Sequence, residues 1–150
     1  MAKNEMELYI DAVELKDLAK KIYDKKPELP IQTAAIKYLF SKSTPPKIGS
    51  GQKVAQLVLV KGRYRYLTGI DYIVEIWQEA WTPLTPYQQE AEMLNVLLYA
   101  EIKEDEDGGR TWSKRKPPID GFFPEAITEY GVDWNPALKA METAVKSHTG

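Results

Sequence analysis

The stretch TPYQQEAEMLNVLLYAEIK, residues 85–103, decides the fold that the sequence predicts. It opens with Thr85 as an N-cap, Pro86 at the first helical position and Gln88 as the partner in a capping box. Apolar residues then recur on most sides of the segment, namely Tyr87, Ala91, Met93, Leu94, Val96, Leu97, Leu98, Ala100 and Ile102. A helix that is apolar over most of its circumference is buried between other elements. The pattern therefore predicts a buried central helix over residues 86–103.

Shorter helices are predicted on either side of this segment. An apolar stripe at spacings of three and four residues predicts an N-terminal helix. Its members are Leu8, Ala12, Leu15, Ala19 and Ile22. Pro124 begins a short helix that Gly131 ends, and the pair Asn135-Pro136 begins a last helix that continues to about Lys146.

Three segments predict strands, at residues 34–40, 54–61 and 72–77. The second is apolar on both faces, so we expect it in the middle of a small sheet that helices cover. Residues 62–69 predict a turn. The whole pattern predicts a single α+β domain with a sheet of about three strands, an N-terminal helix, a buried central helix and short C-terminal helices.

Composition excludes several kinds of chemistry. The 150 residues include no cysteine and one histidine, His148, so a disulfide framework, a thiolate metal site and a site of several histidines are all excluded within one chain. The net charge is -2, and no apolar run approaches the ~20 residues that span a bilayer. The N-terminal segment carries acidic residues where a signal peptide has an apolar core. These features predict a cytoplasmic protein without a membrane segment.

Six short segments, taken in order, resemble one known family. They are PEL at 27–29, IKYLF at 36–40, LTGIDY at 67–72, WTPLTPYQQ at 81–89, FFP at 122–124 and EYG at 129–131. This ordered set resembles the phage metallopeptidases, a zincin-like family of small phage-encoded proteins, over about residues 27–134. The resemblance implies a zincin-like fold.

The resemblance also implies a metal site that this sequence lacks. In such enzymes a His-Glu-x-x-His motif supplies two zinc ligands and a general base. The resemblance places the motif on residues 100–104, where Ala100 and Glu104 stand at the ligand positions and Glu101 at the base position. A third ligand would fall near Pro117 or Pro118, neither of which has a metal-binding side chain. The implied protein keeps the scaffold, has lost the chemistry and needs no cofactor.

The acidic residues leave several other interpretations open. Glu101 is either a remnant of the general base or a partly buried carboxylate that pairs with a lysine or arginine. Glu101 and Glu104 are also candidates for a metal-dependent hydrolase with altered ligands. An oxygen-only site for Ca²⁺ or Mg²⁺ would add Asp105 and Asp107, although their spacing is not that of an EF-hand loop.

Charge blocks suggest a surface for a protein partner. Residues 84–109 carry seven acidic residues and one lysine, and four basic residues follow within residues 110–116. Trp112 lies in the basic segment and is a candidate interface anchor or core residue. The remaining candidate contacts are Arg110, Lys114, Arg115, Lys116, Glu104, Asp105, Glu106 and Asp107. The acidic group could occupy a basic groove of a partner in place of a phosphate backbone.

A second basic segment raises the alternative of nucleic-acid binding. Residues 41–70 carry six basic residues and no acid. Within them Arg63, Tyr64, Arg65 and Tyr66 alternate cations with aromatic rings, a pattern that suits phosphate contact and base stacking. The competing interpretation is the end of a strand, with the tyrosines packed inward and the arginines in solvent.

The sequence as a whole predicts a non-catalytic, phage-derived binding protein on a metallopeptidase-like scaffold. We expect a host or phage protein as the partner, contacted through residues 41–53 and 105–118, and a host defence protein is one candidate. The alternatives are the hydrolase with altered ligands and the nucleic-acid-binding module. The sequence makes no prediction about oligomeric state.

Overall fold

The computed structural model describes residues 8–48, 51–119 and 121–142 and has an α+β fold, as predicted. Its strands are β1 (Tyr9–Asp11), β2 (Ile36–Ser41), β3 (Lys47–Ile48), β4 (Gly51–Gln52), β5 (Ala55–Leu59), β6 (Tyr72–Trp77), β7 (Ala100–Glu104) and β8 (Arg110–Lys114). Its helices are α1 (Val13–Lys25), α2 (Gly62–Thr68), α3 (Gln78–Trp81), α4 (Pro86–Leu97), α5 (Pro124–Tyr130) and α6 (Pro136–Ala140). His148 and the end of the last predicted helix lie outside the described residues.

The main sheet has four strands in the order β1-β2-β6-β5. β2 and β6 are parallel, while β1 and β5 pair antiparallel to their neighbours. The strand predicted at residues 54–61 is therefore an edge strand, and the prediction that it lies in the middle of the sheet is wrong. The inner positions belong to β2 and β6, and on β6 the side chains of Tyr72, Val74 and Ile76 are fully buried.

The N-terminal helix begins later than the apolar stripe predicts. Residues Tyr9–Asp11 form β1, which adds a fourth strand to the sheet, and α1 starts only at Val13. The buried side of α1 nevertheless consists of predicted stripe residues, Leu15, Ala19 and Ile22. Leu8 lies before β1 and belongs to neither element.

The central helix begins as predicted and ends six residues early. Gln88 N donates to Thr85 Oγ1 at 3.2 Å, and Thr85 N donates to Gln88 Oε1 at 2.9 Å, which completes the capping box. After Leu97 the chain turns, and Ala100–Glu104 pairs with Arg110–Lys114 as an antiparallel hairpin. The prediction of a helix to residue 103 is therefore wrong, because Ala100 and Ile102 also fit the two-residue period of a strand.

The acidic turn between β7 and β8 explains this outcome. The backbone N–H of Gly109 donates to Asp105 Oδ1 at 2.6 Å, and that of Asp107 donates to the same oxygen at 3.1 Å. Gly108 has a φ of +81°, a conformation that glycine adopts without strain. This Asp-Gly-Gly sequence is a hairpin turn signal that competes with continued helix.

α4 packs between α1, α5 and β5, and it carries two buried carboxylates with opposite pKa shifts. Burial alone would raise the pKa of Glu90, but the hydrogen bond and charge of Lys25 and the charge of Lys21 outweigh it and lower that pKa. Burial raises the pKa of Glu92 to about 7, and the hydrogen bond that Asn135 donates at 2.8 Å only partly offsets this. No helix among the described residues is long and apolar enough to cross a membrane.

We expect Glu92→Gln to change how stability depends on pH. The pKa of Glu92 rises from 4.5 to about 7 on folding. The contribution of this group to the free energy of unfolding is therefore greatest below pH 4.5 and is lost as the pH rises to 7. The loss amounts to up to ~3 kcal/mol by linkage. The neutral glutamine keeps the acceptor for Asn135, so the variant should exceed the wild type in free energy of unfolding at pH 8 and match it near pH 4.5. Urea unfolding at both pH values measures the difference.

Glu90→Gln is the matched control on the same helix. Because the pKa of Glu90 is lowered on folding, its contribution is present above its ordinary pKa and is lost as the pH falls. This variant should therefore be less stable than the wild type at pH 8. Parallel stability profiles for the wild type and Glu92→Gln would contradict the assignment of Glu92.

Candidate functional site

A polar cluster joins the end of α4 to the loop before α5. Asn95 Nδ2 donates to the carbonyl oxygen of Gly121 at 2.9 Å, and its Oδ1 accepts from Phe123 N at 2.9 Å. The hydroxyl of Tyr99, four residues further along, donates to the same Gly121 carbonyl at 3.1 Å. The two side chains therefore converge on one loop and bind its backbone.

The same face of α4 carries Glu92 one turn earlier. Its side chain is 5% exposed and accepts from Asn135 Nδ2, while Asn135 Oδ1 accepts from Ala137 N at 2.8 Å and so caps α6. A cavity of about 30 Å³ lies between this face and the start of β5. The polar residues of the face, at spacings of three and four, hold the C-terminal segment against the helix.

Helix geometry decides which residues can share a metal ion. A His-Glu-x-x-His motif works because residues four apart on a helix lie ~6 Å apart along its axis and on one face. Ala100 and Glu104 lie instead on β7, where four residues span ~13 Å. Asn95 on α4 and Tyr99 in the turn that follows it have the four-residue spacing of such a motif, and both bind the loop before α5.

The residues at both places do not fit a zinc ion. Asn95 and Tyr99 offer a neutral amide and a phenol, and both are engaged with Gly121. Glu101 pairs with Lys103 at 3.9 Å, and Glu104 pairs with Arg110 at 3.2 Å. Because Glu101 and Glu104 are three residues apart on a strand, their side chains point to opposite faces and cannot share one ion. Among the described residues no three histidine, cysteine or acidic side chains form a group that could hold a metal ion.

A comparison with protein-family models matches residues 7–142 to the family described as "Putative phage metallopeptidase". The chain belongs to the phage metallopeptidase family. Comparisons with curated proteins and with solved structures give no match. The family assignment confirms the resemblance seen in the sequence. Membership therefore gives the fold, while the side chains of this member decide its chemistry.

The predicted partner-binding residues of this phage metallopeptidase family member lie on the β7–β8 hairpin and the segment after it. Two of them fold back on the molecule: Arg115 pairs with Glu125 at 2.9 Å and lies over the Phe123 ring, and the Lys114 ammonium lies 5.6 Å from the Tyr99 ring centre. Partial burial, together with the charge of Lys53, lowers the pKa of Lys114. Asp105 orders the turn. Glu104, Glu106, Asp107, Arg110 and Lys116 are exposed.

Trp112 is half-buried against the sheet. Its ring contacts Tyr72 edge to face, with centroids 5.6 Å apart, and the Tyr72 hydroxyl donates to Ser113 O at 2.6 Å. One side of Trp112 is thus packed on the core, and the other lines a cleft.

The Arg63–Tyr66 segment forms part of α2 and not a turn or strand end. Tyr64 is 63% exposed and Tyr66 is 88% exposed, so the alternative in which these tyrosines pack inward is wrong. Arg63 lies over the Tyr64 ring at 5.4 Å, and Arg65 Nε donates to Asp71 Oδ1 at 2.7 Å. The helix therefore presents its aromatic rings to solvent.

Folding brings two of the predicted segments together. Arg65 of α2 lines the same cleft of about 630 Å³ as Arg110 and Trp112 of β8. The sequence predicts these residues as two separate sites. Glu92, Asn95 and Tyr99 were not predicted as site residues, although polar residues at spacings of three and four on an apolar helix were a signal for them.

We expect Asn95→Ala to lower the free energy of unfolding by ~1–3 kcal/mol, because it leaves the buried N–H of Phe123 without its acceptor. Tyr99→Phe removes one hydrogen bond and should cost ~1 kcal/mol. Urea unfolding measures both. Tyr66→Phe, at an exposed tyrosine, is the control and should change stability by less than ~0.5 kcal/mol. Equal effects in all three variants would refute the bridging role of the cluster.

Proposed function

We propose that this member of the phage metallopeptidase family is a non-catalytic binding protein that uses no metal cofactor. The observation that carries the proposal is the donor set at the end of α4. Asn95 and Tyr99 are neutral, and their polar atoms bind the loop backbone, which is the role a shared metal ion would otherwise fill. A catalytic zinc needs about three protein ligands, with a water molecule that the metal makes nucleophilic.

We propose a protein as the partner, with the β7–β8 hairpin as the contact. The hairpin is a separate two-stranded ribbon, and its turn presents Glu106 and Asp107 to solvent while Asp105 holds the turn in shape. An ordered acidic turn has the charge to enter a basic groove. Lys116 and Arg110 are exposed at its base and supply charge of the opposite sign.

The family name supports a phage setting, so we propose a host protein as the target and inhibition of a host defence protein as the consequence. The proposed location is the cytoplasm of the infected host. The chain has no cysteine, which suits a reducing compartment.

Metal analysis tests the non-catalytic role. After incubation with excess Zn²⁺ and desalting, the purified protein should retain far less than one zinc per chain by atomic emission, and added Zn²⁺ should leave Tm unchanged. Stoichiometric zinc with a raised Tm would overturn the proposal. In that case Glu101→Gln and Glu104→Gln would show whether the hydrolase with altered ligands is correct, because zinc would be lost in those variants.

A pull-down from host lysate tests the partner and the hairpin. The charge reversal of Glu106→Lys with Asp107→Lys should abolish recovery of the partner that the wild type retains, as identified by mass spectrometry. The matched control is Asp17→Lys with Asp24→Lys, which makes the same charge change at exposed positions of α1. Equal recovery of that partner by the hairpin variant would contradict the proposed contact.

A further inference from the structure

The cleft of about 630 Å³ lies between the β7–β8 hairpin and the segment that joins β5 to α2. Its charged lining is entirely basic and comes from three separate elements: Lys61 and Arg65 at α2, Lys103 on β7 and Arg110 on β8. The uncharged residues of the lining include Trp112 and Thr111. A concave site with cations on several sides and no acidic wall attracts anions.

Both arginines are held in place through one nitrogen. Arg65 uses Nε to bind Asp71, and Arg110 uses Nε to bind Glu104. Within the described residues, no acceptor binds the two terminal nitrogens of either guanidinium. The carboxylates therefore orient the side chains and leave the paired N–H groups for a ligand with several oxygen atoms, such as phosphate.

The lysines add positive charge that no close carboxylate offsets among the described residues. Lys61 is exposed and has no carboxylate partner among the described residues, and Lys103 has only the distant contact with Glu101 at 3.9 Å. Neither lysine therefore has a close carboxylate partner among the described residues that competes with an anion.

Trp112 forms a rigid aromatic wall of the same cleft. Its contact with Tyr72 and the hydrogen bond from Tyr72 to Ser113 fix the ring before any ligand arrives. A planar group gains stacking energy on such a preorganised ring at little entropic cost.

The surroundings favour a compact ligand over a long polyanion. The volume lies within the range typical of small-molecule sites. Glu104 and the acidic turn at 105–107 adjoin the end of the cleft at Lys103 and Arg110. A long polyanion that extended past this end would be repelled by these carboxylates.

We propose that this cleft binds a nucleotide, with the phosphates on Lys61, Arg65 and Arg110 and the base against Trp112. The site shares Arg110 with the proposed protein contact but does not include the acidic turn residues Glu106 and Asp107. The protein thus has a small-molecule function beyond its partner binding, and the hairpin-turn variant Glu106→Lys with Asp107→Lys is expected to retain it.

Calorimetric titration with ATP at low salt tests the site. We expect saturable one-to-one binding that weakens as salt increases, with inorganic phosphate and a short oligothymidylate both binding more weakly. Quenching of tryptophan fluorescence should accompany binding, because Trp77, Trp81 and Trp134 are buried and Trp112 alone lines the cleft.

Lys61→Gln and Arg110→Gln should each weaken ATP binding about tenfold. Both residues are exposed, so Tm should not change, whereas Arg65 is avoided because it pairs with the buried Asp71. Lys20→Gln, at an exposed position of α1, is the control and should bind as the wild type does.

Four results would overturn the proposal: no saturable ATP binding, unchanged binding in both cleft variants, phosphate bound as tightly as ATP, or the oligothymidylate bound more tightly than ATP. The last result would indicate an extended nucleic-acid surface that includes Tyr64 and Tyr66. Failure here leaves the metal and pull-down tests unaffected, so the two proposals fail separately.

Discussion

The hydrogen bonds of Asn95 fix the C-terminal segment on the rest of the fold, because they connect the buried helix α4 to the loop that leads into α5. Apolar contacts alone would not fix the position of this irregular loop, because the hydrophobic effect is not directional. One side chain with a donor and an acceptor removes that freedom by binding Gly121 and Phe123 at once. Tyr99 and the Glu92–Asn135 pair extend the connection along the same face to α6.

This arrangement supports the proposal that the phage metallopeptidase fold of this chain persists without the metal that the family name implies. A zinc ion connects a helix to a loop through charged, directional bonds that contribute directly to folding. Amide and phenol groups connect a helix to a loop with weaker bonds and need no deprotonation. Unlike a metal ion, they do not activate a water molecule. The fold and the chemistry are thus separable, and membership of the family carries only the first.

Charge on the hairpin is arranged in two distinct ways. On the turn, acidic side chains are exposed around the ordered Asp105, whereas Arg110 and Lys103 line the cleft. Glu104 belongs to both arrangements, because it orients Arg110 while standing next to the turn. The net charge is only -2, yet the turn is locally negative and the cleft is locally positive. Surfaces of opposite charge attract ligands of opposite charge.

The sequence by itself determined the start of α4, the α+β class, the family and the absence of cysteine and of all but one histidine, because caps, periodicity and composition are local properties. Tertiary structure decided where α4 ends, since Ala100 and Ile102 fit both periods and only pairing with β8 selects the strand. Tertiary structure also decided that β5 lies at an edge of the main sheet and that Arg65 and Arg110 line the same cleft. Contacts between residues so far apart in the chain depend on how whole elements pack, which local spacing does not encode.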